Sequence, residues 1–237
     1  MAPSLQDYRI HGLPATAFYI ADFITEQEER HLLGKVAAAP KPRWKQLTHR
    51  RLQAWPSDLV RNRLVEAPLP PWLRDPVMDR LLALPLSPDN SAHIFAHSPH
   101  QRPNHVLVNE YPPGDGAAYW PVVCTVSLGA TICLDVHRSK PDGALDPIPI
   151  WRILQEPRSL LITTQDMYTD YLHGIADVGH DVDLSMEQGV VNWPLLGKPD
   201  AFACGRNVRQ VRTSLTYRDV IAVSYLSNKI GLFAKQP

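Results

Sequence analysis

Cysteine is scarce in this sequence. Cys124, Cys133 and Cys204 form no CxxC pair and no even framework. That excludes a disulfide-stapled scaffold and favours a reducing compartment. Excess charge is also missing: 24 Lys and Arg balance 24 Asp and Glu. Binding through a bulk electrostatic field is thereby excluded, whereas a local basic patch is not. No run of about 18 apolar residues is present, so no membrane span or membrane partner is expected. The opening stretch "MAPSLQDYRIHGLPATAFYI" lacks the basic-then-apolar order of a secretory signal. Together these absences predict a cytoplasmic and nuclear protein.

What is present is a globular composition. The 237 residues are 44% hydrophobic and 20% charged, enough to bury a sizeable core and too apolar for disorder. The 23 prolines gather in stretches such as "APKPRW", "APLPPWLRDP" and "SKPDGALDPIPIW". Proline breaks helix interiors and central strands, so these read as loops or edges.

"AFYIADF" reads as a short strand. The next stretch, "ITEQEERHLLGKVAAAP", reads as a helix with Thr25 and Glu28 at capping-box spacing and Leu32, Leu33, Val36 and Ala37 on one face. "PWLRDPVMDRLLALP" reads as a second helix, with Pro76 in its first turn and Val77, Leu81 and Leu84 on one face. From residue 105 the pattern becomes strand-like: "HVLVNEY", "VVCTVSLGA", "TICLDV", "SLLITT", "YTDYLHGI" and "VRTSLTYRDV". Residues 177–205 have little periodicity and read as a long loop. With no internal repeat and no clear linker, the chain is expected to be one domain over 1–237. A helical part (about 1–104) precedes a β core (about 105–237). The class is mainly β with flanking helices, α+β, and the core a sandwich or barrel-like jelly roll. A monomer is expected.

Several groups of residues have the makings of a site. In "RTSLTYR", Arg212, Ser214, Thr216 and Arg218 alternate onto one face of a strand. Two inward guanidinium groups need anions, because an unpaired buried charge is very costly. A dicarboxylate satisfies both, and so do the protein's own Asp and Glu. In "LVNEY", Asn109 and Tyr111 share a face of an otherwise apolar strand. His173 stands in the apolar "YLHGI", as a core histidine or a metal ligand. His93, His97, His100 and His105 crowd one loop-like stretch with no interleaved carboxylate. In "KPRWKQLTHRR", Lys45, Arg50 and Arg51 flank Trp44. Cations for phosphates beside an aromatic for stacking suit single-stranded nucleic acid, and they also suit a solvated surface.

These stretches meet in one family. With "FYIADFITEQEERHLLGKVAAAPKPRWKQL", "PLPPWL", "NHVLVNEYPPGDG", "YWPVVCTVSLGA", "EPRSLLI", "YLHGIA" and "RTSLTYR", the chain resembles the AlkB-type 2-oxoglutarate- and Fe(II)-dependent dioxygenases, and within them the eukaryotic AlkB homologue 6 group. The resemblance implies a double-stranded β-helix, a jelly roll with helices outside. It implies Fe(II) and 2-oxoglutarate as cofactors, and O2 as co-substrate. Arg212, Ser214 and Arg218, with Asn109 and Tyr111, would grip 2-oxoglutarate, and His173 would be the distal metal ligand. The implied activity is oxidative removal of alkyl groups from nucleobases, with a protein substrate as an alternative and with Trp44, Lys45, Arg50 and Arg51 near the nucleic acid.

The sequence departs from the family pattern in one place. A His-x-Asp turn belongs between the "PPGDG" turn and the "YWP" strand, but "PPGDG" here runs directly into "AAYWP". None of the ten histidines is followed two residues later by Asp or Glu. Non-haem iron takes two His and one carboxylate on one face. Asp115 is the one carboxylate left in this turn, and the first His has no counterpart. The alternative to an oxygenase is therefore a catalytically inactive module that keeps the 2-oxoglutarate pocket or the nucleic-acid contact.

Overall fold

The computed structural model describes residues 3–14, 16–47, 50–110, 122–138 and 148–224, with the backbone alone for Tyr168. Its strands are β1 (Ala17–Ile20), β2 (Lys45–Gln46), β3 (Arg51–Trp55), β4 (Leu59–Val60), β5 (Arg63–Val65), β6 (His105–Glu110), β7 (Val122–Leu128), β8 (Ile132–Arg138), β9 (Trp151–Gln155), β10 (Leu160–Thr164), β11 (Tyr171–Gly174), β12 (His180–Asp181), β13 (Asn207–Val208), β14 (Thr213–Arg218) and β15 (Val223–Ser224). The main helix is α1 (Glu26–Ala37). Seven strands form a large sheet in the order β1-β10-β7-β14-β6-β3-β2, and β11-β8-β9 form a small one. All pairings within these two sheets are antiparallel. The two sheets face each other as a jelly roll with helices on the outside. Among the described residues no helix is long and apolar enough to cross a membrane.

The two faces of the large sheet bury different things, because side chains alternate along a strand. On the outer face Val106, Val108, Cys124, Val126, Leu160, Ile162, Leu215 and Tyr217 pack against Leu32 and Val36 of α1 and against Leu73, Val77, Leu81 and Phe95. Each fully buried Leu or Val there contributes about 1.5–3 kcal/mol. On the inner face Ala17, Tyr19 and Leu161 join Ile132, Leu134, Val136 and Ile153 of the small sheet in a second core.

Helix α1 begins at the expected cap. The Glu28 amide donates to Thr25 Oγ1 (3.2 Å), and the Thr25 amide donates to Glu28 Oε2 (2.8 Å). Arg80 also holds Glu28 (2.6 and 2.9 Å), which ties α1 to the helical turn Asp79–Ala83. Ala37, expected on the buried face, is exposed.

The second helix departs from expectation. It breaks into Pro71–Leu73, Arg74–Met78 and Asp79–Ala83. Asp75 takes an extended conformation (φ −98°, ψ 129°), as the residue before a proline prefers. Besides the expected β1, the short strands β2 and β3 of the N-terminal part also join the large sheet.

Candidate functional site

The registers place a polar row on the inner face of the large sheet. Ser214 of β14 lies opposite Ser127 of β7 and Asn109 of β6. Two residues on, Thr216 lies opposite Thr125 and Leu107, and the two threonine hydroxyls are 3.5 Å apart. Ser127, Ser214, Asn109 and Thr216 are all buried. An apolar row would fill this space without the cost of desolvating polar groups, so the row is informative about function. The Ser214 hydroxyl has no hydrogen-bond partner among the described residues.

Arg212 closes one end of the row. It is 2% exposed. Its Nε and Nη2 donate to Ser127 Oγ (3.2 and 2.7 Å), and Nη2 also donates to Gln155 Oε1 (3.0 Å). The Ser127 hydroxyl in turn donates to Gln155 Oε1 (3.4 Å). Gln155 belongs to the small sheet, so this cluster links the two sheets. Arg218, at the far end of β14, lies opposite His105. Burial, and then the charge of Arg218, push the His105 imidazole down to about 4. It is therefore neutral at physiological pH, with Nε2 3.2 Å from the Ser57 carbonyl.

His173 stands on the small sheet opposite Val136, and Gln155 stands opposite Ile132. Val136 and Ile132 are on the same face of β8, so His173 and Gln155 both point toward the large sheet. Four residues of strand, at roughly 3.3 Å each, separate them. His173 is exposed, and desolvation by its neighbours pushes its imidazole down to about 4, opposed by a hydrogen bond with the Met167 main chain.

The structure thus places Asn109, Arg212 and Ser214 together on the inner face of the large sheet, Arg218 farther along β14, and His173 on the inner face of the small sheet. Tyr111 and Asp115 lie outside the described residues. Among the described residues no group of three His, Cys, Asp or Glu side chains is placed to hold a metal ion. The histidine-rich stretch forms no such cage either: His100 Nδ1 is 2.6 Å from Asp219 Oδ1, an internal pair. Ser127 and Gln155 were not expected. Each sits in a mostly apolar strand, "TVSLG" and "WRILQ", and asking what accepts from a buried Arg212 finds them.

The basic cluster lies at the edge of the large sheet, on β2 and β3. Arg51 forms a two-point ion pair with Glu110 (2.5 and 2.9 Å) and stacks 4.2 Å from the Trp44 ring centroid. Lys45 is 2.8 Å from Asp58. Trp44, Lys45, Arg50 and Arg51 are therefore together, but two of the three cations already have internal counter-ions.

The sequence aligns with the "Probable RNA/DNA demethylase ALKBH6" of zebrafish (Danio rerio) at 36% identity, over 91% of this chain and 90% of the relative. The chain belongs to the AlkB family of 2-oxoglutarate- and Fe(II)-dependent dioxygenases. Another similar sequence is "Uncharacterized protein L905" of Acanthamoeba polyphaga mimivirus, 29% identical over 51% of this chain and 50% of that protein. Two solved structures are similar. One is that of OsALKBH1 (TM-score 0.49, 14% identity, 88% of this chain and 100% of that one). The other is a 2OG-Fe(II) oxygenase family protein from Caulobacter crescentus (TM-score 0.38, 13% identity, 86% and 77%). No family model matches the chain. Of the residues that the sequence resemblance implies for the co-substrate grip, Asn109 and Ser214 stand in the polar row and Arg212 at its end.

Proposed function

We propose that this chain is a 2-oxoglutarate-binding member of the AlkB family whose inter-sheet polar row is the co-substrate pocket, and that its iron centre is incomplete. The observation that carries the first half is the buried Ser214 hydroxyl, without a partner among the described residues and one row from Arg212. A buried polar group left unsatisfied costs about 1–3 kcal/mol, and a bound dicarboxylate removes that cost. Arg212 pairs with one carboxylate of the ligand through charge-assisted bonds, while Ser214, Thr216 and Asn109 offer neutral contacts. Tyr111 and Arg218 complete the set that the family pattern suggests.

Iron fits less well. His173 is a suitable ligand, but the described residues offer no group of three around it. The stretch 111–121, "YPPGDGAAYWP", contains Asp115 and no histidine. One histidine and one carboxylate fall short of the two-histidine, one-carboxylate set.

The test is calorimetric titration of the chain as written with 2-oxoglutarate, without added metal. Saturable binding at one site is expected, and no binding overturns the pocket assignment. The second reading is a complete oxygenase that uses O2 to dealkylate nucleobases in single-stranded or alkylated nucleic acid. The name of the zebrafish relative and the position of His173 favour it. It requires a second histidine from elsewhere in the chain.

A further inference from the structure

We propose that the inner face of the β2–β3 edge is a second compartment of the pocket, that it takes one nucleotide of a single strand, and that Leu52 is its specificity-determining residue. The proposal rests on the nucleic-acid reading above for the kind of ligand. Its placement rests on the strand registers.

Directly opposite residues of paired strands point to the same face. Lys45 lies opposite Leu52, and Leu52 lies opposite Asn109. The row of Asn109, Ser214 and Ser127 therefore continues across two more strands to the sheet edge. In the next row Ala54 lies opposite Leu107, and Leu107 lies opposite Thr216. Polar side chains thus give way to Leu52, Ala54 and Leu107 on one continuous face. Leu52 and Leu107 are half-buried. Among the described residues none of these three joins the outer or the inner core. An apolar floor beside a few polar contacts is the common make-up of a small-ligand site.

The same registers divide the basic cluster. Trp44 packs against the outer core, and Arg51 stacks on it and lies opposite Glu110. Gln53, two residues on from Arg51, reaches the Val36 carbonyl of α1, which fixes that face as the outer one. Trp44 and Arg51 can therefore meet only nucleic acid that stays outside the pocket. Lys45 is on the pocket side. Its side chain and that of its partner Asp58 are each about half exposed (54% and 49%). An ion pair this wet contributes little, so a phosphate can displace it. Lys45 and Leu52 are one strand apart, about 5 Å, so a ring resting on Leu52 brings its own phosphate to Lys45. Leucine and alanine side chains have no donor or acceptor, so the floor selects by shape and apolar contact and not by the edge of the base.

The experiment uses the full chain as wild type, Leu52→Gln, Lys45→Ala and Trp44→Ala. Adenosine monophosphate is the probe, because a single nucleotide can fill the compartment without bridging to the outer face. Its affinity is measured by NMR titration, 2-oxoglutarate affinity by calorimetry, and folding by thermal unfolding. Wild type is expected to bind the nucleotide. Leu52→Gln should weaken that binding about fivefold and Lys45→Ala about threefold, while Trp44→Ala leaves it unchanged. The affinity for 2-oxoglutarate should stay at the wild-type level in Leu52→Gln and Lys45→Ala. If wild type binds no nucleotide, or if Leu52→Gln binds it as tightly as wild type, the compartment is overturned. If Trp44→Ala weakens it as much as Leu52→Gln does, the division of the cluster is overturned. If Leu52→Gln loses both ligands and unfolds earlier, Leu52 is a packing residue and its assignment is overturned. A chain that binds single strands but not the mononucleotide keeps the nucleic-acid reading and overturns the compartment. A wild-type chain that binds the nucleotide through Leu52 but no 2-oxoglutarate overturns the co-substrate reading and supports this proposal.

Discussion

At the scale of single residues, charge and burial pull against each other. Arg212 is the sharpest case, because a cation this deep has to be met by acceptors from every side that the fold can supply. Arg212→Ala removes a charge-assisted bond to the ligand and should weaken 2-oxoglutarate binding by about 2–3 kcal/mol. Calorimetry checks this, with thermal unfolding as the control for impaired packing, and unchanged affinity would remove Arg212 from the site. His105 gives a pH prediction. Its pKa falls from 6.5 to about 4 on folding. Above 6.5 both states are neutral and the stabilisation is fully present. As pH falls from 6.5 toward 4, the unfolded chain takes up a proton that the folded chain refuses, so stability declines; below about 4 this group adds no further loss. At about 1.4 kcal/mol per unit the decline is on the order of 3 kcal/mol. Urea unfolding across this pH window should show a shallower slope for His105→Gln than for wild type, and equal slopes would contradict the assignment. The alternation of Arg212, Ser214, Thr216 and Arg218 was readable from spacing. The acceptors of Arg212 were not, because a Gln or Ser in a mostly apolar strand does not say which distant strand it will face.

At the scale of elements, the edge formed by β2 and β3 decides whether the basic cluster is a contact surface. Lys45 and Arg51 have Asp58 and Glu110 as counter-ions, so nucleic acid would have to compete with them. Glu110→Gln removes one competitor and should strengthen single-strand binding. Replacing Lys45, Arg50 and Arg51 with Ala should weaken it and flatten its salt dependence by roughly 0.7 for each phosphate no longer neutralised. Binding measured at several salt concentrations checks both; if neither variant moves the affinity or the slope, this edge only faces solvent. Elements differ in how well the sequence announced them. Strands β6, β7, β8, β10 and β14 were legible because each is a β-branched, apolar run between turn residues. Strand β9 was hidden behind "DPIPIW", where prolines argue against a strand. Strand β3, "RLQAW", has no clean alternation: its burial comes from pairing with β6, a partner far along the chain. The broken helix at 71–83 shows the converse. Its apolar spacing was readable and Val77 and Leu81 are buried, but the extended Asp75 before Pro76 interrupts the backbone that the spacing alone made continuous.

At the scale of the whole molecule, the jelly roll and the metal centre make separable demands on the sequence. Two facing sheets need alternating apolar strands, and the chain has them with or without a complete ligand set. Among the described residues, the outer core against α1 and the inner core between the sheets draw on strands from both sides of 111–121. An iron centre needs three particular side chains at one place, a demand that a short local stretch of sequence can fail to meet. The chain as written should therefore fold but hold little iron and release little succinate from 2-oxoglutarate. A version with a His-x-Asp turn inserted after Gly114 should gain both, because it supplies the missing histidine to join His173. Losing even an outer partner of a metal ligand lowers affinity about 10–100-fold, so loss of a direct ligand should cost at least that. Metal analysis of the two purified proteins, with succinate release measured alongside, separates the cases. If the chain as written already holds stoichiometric iron and releases succinate as fast as the repaired version, the metal is bound by other side chains and the proposed gap in the site is wrong. If the repaired version gains neither, the defect lies beyond the missing turn, and the binding-module reading extends to the fold itself and not only to this sequence.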